Sequence, residues 1–202
     1  MATQRTRALR PARGTPADTR RRLVAAAATV INRDGYHGTD SNRIARAAGY
    51  APGTFYKHFP DKRAILLAAY AEWVNGEWAA IEAEVRAHPR PAVVAARVVD
   101  LVLALHRRWR GLRSSVLALV GSDPTARRFY REQRHRQLHL LAELRGVHGG
   151  PARSAAEDAV LLYALERTCD AVANGELRAL GVGLAPTVRV LRTLVYRQLV
   201  RD

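Results

Sequence analysis

The sequence predicts an all-α fold of about nine helices, with three short helices and the start of a long one in the first third of the chain. Apolar residues recur at helical spacing, no segment shows the alternation of a half-buried strand, and capping residues, Gly and Pro divide the pattern into helical lengths. Hydrophobic residues make up 48% of the 202 positions, which is enough for a packed core and argues against a disordered chain.

The sequence TPAD at residues 15–18 predicts the start of the first helix. Thr15 can cap it, Pro16 suits the first helical position, and Asp18 can complete a capping box. We expect this helix to end at Asp34 and Gly35. Its apolar face consists of Leu23, Ala27, Val30 and Ile31.

Two short helices separated by a glycine turn are predicted next. Thr39 is expected to cap the second helix, Gly49 to end it, and Pro52 to open the third. The third helix runs through Phe55 and Phe59, which are one turn apart and so face the core together. The inner face of the second helix consists of Ile44, Ala45 and Ala48.

A long fourth helix is predicted from a cap at Asp61 to the sequence HPRP at residues 88–91. It carries Leu66, Tyr70 and Trp73 on its apolar side. The segments RG at 110, GSDP at 121, GVHGGP at 146 and LGVGLAP at 180 interrupt the pattern that follows. The later helices are predicted at residues 92–109, 113–120, 125–145, 154–178 and 187–201.

The net charge of +15 favours a polyanionic partner, and its distribution is more informative than its total. All but two of the 33 basic residues are Arg, and residues 1–63 alone carry a net charge of +9. Residues 1–14 hold four Arg and no acid, which predicts a disordered basic arm. Two interpretations are open for it: a solvated tail, or an arm that reaches DNA phosphates or the minor groove.

Other classes of protein find little support. The single Cys169 makes no internal disulfide, and no apolar run approaches a membrane span, so we expect a cytoplasmic chain with no membrane association. His135 and His139 are one turn apart, but Arg-rich surroundings argue against a metal site. No local signature makes Cys169 a nucleophile. We expect no catalysis, no cofactor and no metal.

Three short helices followed by a long one, with Gly between the second and third, is the helix-turn-helix plan. In that plan the second helix crosses the DNA backbone and the third lies in the major groove. Within GYAPGTFYKHFPDK, residues 49–62, the two buried Phe rings leave Thr54, Lys57 and His58 on other faces, and the Tyr56 hydroxyl can reach a phosphate. Lys62 stands at the start of the fourth helix, where its ammonium and the backbone N–H groups can hold another.

The segment GYHGTDSNRIARAAGYAPGTFYKHFPDKRAIL resembles the N-terminal domain of the tetracycline-repressor (TetR) family of transcription regulators. The resemblance covers about residues 16–66, and GTFYKHFPDK, placed nine residues after IA, carries it. Ala51 departs from it, because the family often has a Ser or Thr cap there. Four residues resemble the family's phosphate contacts: Ser41, Tyr56, His58 and Lys62. Five resemble its base-edge or groove contacts: Asn42, Pro52, Gly53, Thr54 and Lys57.

The resemblance also implies a dimer with a larger C-terminal domain that binds a small-molecule effector. We therefore expect a DNA-binding domain at residues 15–62, with its motif at about 40–59, and an effector-binding and dimerisation domain at 63–202. The helices at about 154–178 and 187–201 are expected to form the homodimer. In the second of these, a stripe of Val188, Leu191, Val195 and Leu199 packs either in that four-helix bundle or in the chain's own core.

The middle helices are expected to enclose the effector, whose identity stays open. The basic residues outside the first domain are compatible with an acidic effector such as an acyl-CoA. The candidate pocket residues are Trp73, Trp78, His106, Trp109, Phe129, Tyr130, Tyr163 and Asp170.

These features predict a ligand-responsive repressor that binds a palindromic double-stranded DNA operator as a homodimer and is released by its effector. The alternative is a sequence-tolerant basic DNA-binding protein, driven by charge, with a steep salt dependence and little sequence preference. An enzyme or small-molecule carrier that retains only the fold is a further alternative, and the GTFYKHF segment argues against it.

Overall fold

The computed structural model describes residues 14–200, and every regular element in that range is α-helical. The predicted all-α fold is therefore confirmed, with ten helices in the described range where about nine were expected. Most of the predicted basic arm, residues 1–13, lies outside the described residues. The helices are α1 (Pro16–Asp34), α2 (Ser41–Ala47), α3 (Pro52–Tyr56), α4 (Lys62–Ala87), α5 (Pro91–Arg108), α6 (Arg110–Ser122), α7 (Pro124–Val147), α8 (Ala155–Ala173), α9 (Glu176–Ala179) and α10 (Leu184–Leu199). Between residues 14 and 200, none of these helices combines the length and the apolar character needed to cross a membrane.

The described chain forms two compact units. The first comprises the residues up to Ala71 together with Gly111–Ala126, and the second comprises Glu72–Arg110 and the residues from Arg127 on. The first unit is larger than the predicted DNA-binding segment, residues 15–62, because it adds the start of α4 and nearly all of α6. The sequence motif ends near Lys62 and contains no signal for a helix that joins the unit from far along the chain.

The core of the first unit is built from one apolar face of each of its helices. Representative side chains, each with no exposed surface, are Leu23 and Ile31 of α1, Ile44 of α2, Phe55 of α3, Leu66 of α4 and Leu112 of α6. Burial of this kind, about 25 cal/mol per Å² of apolar surface, is what holds short helices such as α2 and α3 in place.

Of the three side-chain caps predicted for helices in the first part of the chain, two are confirmed and one is wrong. Thr15 caps α1 in a full capping box with Asp18, and the Asp61 carboxylate accepts a 2.7 Å hydrogen bond from the Ala64 backbone N–H in the first turn of α4. Asp40, rather than Thr39, caps α2, because its carboxylate accepts from the Arg43 N–H at 2.8 Å. Aspartate is at least as good a cap as threonine, so the cap falls one residue later.

Helix boundaries in the second unit differ from the predicted ones for backbone reasons. The predicted helix at 154–178 ends at Ala173, because Gly175 adopts a left-handed conformation with φ 77° and separates off the short α9. Helix α10 begins three residues earlier than predicted. Pro186 then falls in the first turn, where its missing N–H costs no helical hydrogen bond.

The apolar stripe of α10 packs within its own chain. Leu191 belongs to a buried cluster with Val99, Leu103 and Cys169, and Val188 and Val195 of the stripe lie against it. Of the two arrangements left open by the sequence, this stripe takes the intramolecular one, so a dimer interface on α10 needs a different face.

Helix α6 is joined to the first unit at a close backbone contact. The Asn32 side-chain oxygen, near the end of α1, accepts hydrogen bonds from the N–H groups of Gly111 (2.9 Å) and Leu112 (3.1 Å) and so satisfies the start of α6. The Ser115 hydroxyl accepts from the Tyr36 N–H at 3.1 Å. A Cβ on Gly111 would lie 2.0 Å from the Asn32 carbonyl oxygen, so the two helices meet at a point where only glycine fits.

This contact predicts that Gly111→Ala lowers the free energy of unfolding by about 1–3 kcal/mol, the usual cost of overpacking a rigid contact. The matched control is Gly121→Ala in the same helix, where a new Cβ meets no described atom within 4 Å. That change is expected to be neutral or to stabilise by up to about 1 kcal/mol, since Ala is the better helix former. Urea denaturation followed by circular dichroism measures both, and equal effects of the two substitutions would contradict the close contact.

Candidate nucleic-acid interface and ligand cavity

The turn between α2 and α3 is a tight left-handed turn around Gly49. Gly49 has φ 82°, its N–H bonds to the Arg46 carbonyl at 3.0 Å, and the Tyr50 N–H bonds to the Ala45 carbonyl at 2.9 Å. This pair of hydrogen bonds is the Schellman arrangement, which closes a helix and redirects the chain. The sequence prediction that Gly49 ends α2 is therefore confirmed, and α3 starts three residues later at Pro52.

Helix α3 has one buried face and one exposed face. Phe55 is fully buried and Phe59 is 4% exposed, with ring centroids 5.9 Å apart, while Tyr56 is 58% exposed. Lys57, Pro52 and Gly53 are exposed and Thr54 and His58 are half-buried, so the predicted contact residues of this segment lie away from the phenylalanine face. Tyr56 is the last residue of α3, which is shorter than predicted because Lys57 and His58 form a turn and Phe59 lies beyond it.

The two predicted contacts on α2 lie in its first turn. Ser41 is the first residue of the helix and is half-buried, and Asn42 next to it is exposed. Asp40 precedes them, but its carboxylate is engaged in the cap and interacts favourably with the helix dipole.

Lys62 has a structural role in addition to the predicted phosphate contact. Its ammonium donates to the carbonyl oxygens of Tyr36 (2.6 Å) and Thr39 (2.7 Å) and lies 4.2 Å from the centroid of the Tyr36 ring. Partial burial lowers the pKa of this ammonium, and the nearby Asp40 carboxylate opposes part of that shift. An ammonium has three N–H donors. Two of them bind carbonyl oxygens of the loop before α2, and the third is left to donate to a phosphate.

Arginines next to α3 were missed by the sequence reasoning. The Arg20 guanidinium lies 4.9 Å from the centroid of the Phe59 ring, which places an exposed cation beside the end of α3. Arg46 is exposed on α2, whereas the Arg43 guanidinium forms an ion pair with the Asp34 carboxylate at 3.0 Å. The signal available in the sequence was the run of three arginines at 20–22 in the first turns of α1, where the positive end of the helix dipole adds to the charge.

The second unit contains a cavity in which the centre of a water molecule can occupy a volume of about 100 Å³. Side chains of α4, α5, α7, α8 and α10 line it, and they are mostly aliphatic. Single water molecules need only roughly 10–15 Å³ on this measure, so the space can hold part of an organic ligand.

Only some of the residues predicted for the effector pocket line this cavity. Trp78 and His106 are in its wall. Tyr163 is 53% exposed, and its ring lies 5.0 Å from the Arg134 guanidinium. The others outside the wall are Trp73, Trp109, Phe129, Tyr130 and Asp170. The prediction favoured aromatic residues, and the wall consists mainly of Val and Leu, which the sequence did not distinguish from ordinary core.

A buried polar chain borders the cavity at His106. Its Nδ1 is 2.9 Å from the Asp170 carboxylate, its Nε2 is 3.6 Å from the Glu77 carboxylate, and its ring contacts Trp73 edge to face at 5.8 Å. The His106 side chain has no exposed surface and the Glu77 side chain has 5%, so both groups are removed from bulk water. Asp170 thus lies behind the imidazole rather than in the wall.

The helix-turn-helix geometry, with α3 presenting an exposed polar face, defines the class of the first unit as a DNA-binding fold. Residues 23–69 match the family described as "Bacterial regulatory proteins, tetR family". This match covers the part of the first unit that runs from α1 into α4, which is less than a quarter of the chain.

One named relative is similar to this chain over a short segment. The chain is 40% identical over 50 residues to the fatty acid metabolism regulator protein of Bacillus subtilis (strain 168), a segment that covers 25% of this chain and 26% of that protein. The chain therefore matches only about a quarter of the length of this relative.

Solved structures extend the similarity of fold to the whole chain. The fatty acid degradation regulator FadR of Bacillus halodurans aligns with a TM-score of 0.66 and 20% identity, covering 95% of this chain and all of that one. A Saccharomonospora viridis protein in complex with choline aligns with a TM-score of 0.72 and 23% identity over 92% of this chain and all of that one. At such identities the likeness concerns the fold.

Helix α3 begins without a side-chain cap, because Ala51 at that position makes no such hydrogen bond. Ala51→Ser is expected to raise the free energy of unfolding by about 1 kcal/mol, since the hydroxyl can accept from an N–H in the first turn. The control is Ala47→Ser at the exposed end of α2, where a hydroxyl caps nothing and serine is the weaker helix former. Urea titration of both variants measures the difference, and no gain for Ala51→Ser over the control would contradict the assignment of the uncapped start.

Proposed function

We propose that this protein is a DNA-binding transcriptional regulator that represses its target as a dimer and releases DNA when a small molecule binds its second unit. The observation that carries the proposal is the exposed face of α3, which follows the turn at Gly49 and is held by the buried Phe55 and Phe59, within the segment that matches the tetR family. Such a helix enters the major groove with its first residues at the base edges.

The proposed DNA contacts are of two kinds, contacts to base edges or the groove and contacts to phosphates. Pro52, Gly53 and Thr54 start α3 and present small surface and backbone, which suits close approach to bases. Asn42 on α2 and Lys57 directly after α3 are exposed donors, and they are assigned to base-edge or groove contacts as well. Phosphate contacts are assigned to four residues: Ser41, Tyr56, His58 and Lys62. Phosphate contacts fix the register of the protein on the duplex, whereas base contacts specify sequence.

A dimer is needed because one short helix reads few base pairs, and two half-sites one helical turn apart supply both affinity and specificity. Support comes from exposed apolar side chains on the two helices predicted for the interface. Val160 and Tyr163 of α8 are 70% and 53% exposed, and Val190 and Tyr196 of α10 are 59% and 39% exposed. These four residues, here called the α8–α10 outer face, leave the intramolecular stripe of α10 undisturbed.

Effector control is supported by the cavity in the second unit. The choline complex of the Saccharomonospora viridis protein shows that a chain of similar fold holds a small molecule. An effector that binds better to a conformation unsuited to the operator shifts the population away from DNA, and by linkage DNA weakens effector binding by the same factor.

The decisive experiment is fluorescence anisotropy of the protein against tiled DNA from around its own gene, with a scrambled duplex, across a salt series. A specific regulator is expected to bind one tile in the nanomolar range, about a thousandfold or more tighter than the scramble. Equal binding to all tiles, falling steeply with salt, would instead establish the sequence-tolerant alternative.

The change Tyr56→Phe is expected to weaken binding to the preferred tile by roughly tenfold or more, because a hydrogen bond to a charged group is lost.

The outer-face assignment predicts that Val160→Glu converts the dimer to monomer, because a buried unpaired carboxylate in each copy opposes association. Val147→Glu at the end of α7 is the matched control, since Val147 is also an exposed valine at 42% and lies on another helix. Sedimentation velocity at micromolar concentration separates the two outcomes. A Val160→Glu protein that stays dimeric would show that the interface lies elsewhere.

A further inference from the structure

We propose that Arg20 of α1 and Arg46 of α2 bind DNA phosphates at the two ends of α3, so that α1 joins α2 and α3 in the DNA-binding surface. The inference rests on the function proposed above, because it extends the contact with the duplex backbone to two arginines that have no assigned role. Two features carry it: which cations of the first unit are neutralised by carboxylates, and where the other cations lie.

The carboxylates of the first unit are committed within the fold. They belong to Asp18, Asp34, Asp40, Asp61 and Asp123. Asp40 caps α2, and the others form ion pairs, at N–O distances between 2.5 and 3.3 Å, with Arg21, Arg33, Arg43 and Arg63. The charge of each of these arginines is therefore offset locally, and it contributes little to the attraction of a phosphate.

Other cations of the same unit are exposed and form no ion pair with a described carboxylate. They are Arg20, Arg22, Arg46 and Lys57. A cation of this kind presents its full charge to a polyanion, and DNA releases a condensed counterion when the cation binds a phosphate. Lys57 is already assigned to a base-edge or groove contact, and described contacts place Arg20 and Arg46 beside α3.

Arg20 is held by an aromatic ring just beyond the end of α3. Its guanidinium carbon lies 4.9 Å from the centroid of the Phe59 ring, which is a cation–π contact, and the side chain stays exposed. Tyr56 and His58, the proposed phosphate contacts of this segment, precede Phe59 by three residues and one. The contact with the ring restricts a long side chain, so less conformational entropy is lost when the guanidinium binds a phosphate.

Arg46 lies before the start of α3, in the last turn of α2. It follows Asn42 by four residues, so the two side chains share a face of α2, and Asn42 is a proposed groove contact. The Arg46 carbonyl accepts from the Gly49 N–H at 3.0 Å, in the turn that leads to α3. A recognition helix in the major groove lies between two phosphate backbones, so a cation before the helix and one after it can each meet a phosphate.

The test measures how the DNA affinity of the full chain depends on salt. Fluorescence anisotropy between about 50 and 200 mM salt gives the slope of log affinity against log salt, for the preferred tile and for the scrambled duplex. Arg20→Gln and Arg46→Gln are each expected to make this slope shallower by about 0.9, the contribution of one phosphate contact to B-DNA. At about 100 mM salt, each is expected to weaken binding by roughly fivefold to tenfold. The loss is the same for both duplexes, because a phosphate contact carries no sequence information.

An unchanged slope in either variant would overturn the assignment of that arginine, and so would a loss confined to the preferred tile. Absence of a preferred tile would refute the sequence-specific regulator, and the slopes on the scrambled duplex would still decide the arginine contacts. A preferred tile with unchanged slopes refutes the contacts alone.

The matched control is Arg33→Gln, which removes the same charge from an exposed arginine of α1 that Asp34 already neutralises at 2.8 Å. Asp34 keeps Arg43 as a partner at 3.0 Å, so no carboxylate loses its last ion pair. This variant is expected to leave the slope unchanged. A slope as shallow as those of the Arg20 and Arg46 variants would assign the effect to net charge and overturn the proposal.

Two further variants separate the charge of Arg20 from its packing on Phe59. Arg20→Met removes the charge but keeps an unbranched side chain that packs well on an aromatic ring, so it decides the question if Arg20→Gln does not fold. Arg20→Lys keeps the charge. The slope is expected to be shallower for Arg20→Met and unchanged for Arg20→Lys, and equal slopes for the two would show that Arg20 acts through packing alone.

Discussion

Burial of two phenylalanines, one on the five-residue helix α3 and one just after it, is the constraint on which the DNA-binding surface depends. A helix as short as α3 is not stable alone, because nucleation costs more than so few hydrogen bonds return. Burial of Phe55 and Phe59 supplies the missing stability. With these two rings in the core, the other side chains of the segment face outward. Phe55 also contacts the Tyr56 ring edge to face at 5.3 Å, so a core residue orients a surface one. The chemistry of the exposed face thus follows from the packing of the hidden one.

Chain connectivity gives the two units a shared set of helices. Helix α4 contributes Tyr70 to the first unit and Glu77 to the cavity wall, and α5 carries His106 a few residues before α6 begins. Asn32 and Gly111 fix the start of α6 within the first unit by close backbone contact. Each unit therefore combines segments that are far apart in the chain.

The sequence predicted the first unit better than the second because its signals there are local. Capping at Thr15, the glycine turn at Gly49 and the phenylalanine pair are each decided within a few residues, and all three are confirmed. The membership of α6 in that unit depends on a contact between residues about 80 positions apart, which no local pattern reveals. The cavity wall was missed for a related reason. A valine that lines a cavity and one that fills a core have the same periodicity, and aromatic residues drew the prediction elsewhere.

The charge of the chain illustrates the same difference between local and global properties. A net charge of +15 acts over the surface, where it raises affinity for polyanions and depends on salt. Inside the second unit screening is weak, and only the few ionised groups at the cavity matter. There Arg145 is paired with Asp158 and Arg134 with Glu166, and each ring nitrogen of His106 has a carboxylate nearby, Asp170 or Glu77. The surface charge that attracts the DNA backbone therefore says little about the charge at the cavity, because each buried ion interacts mainly with its own partner.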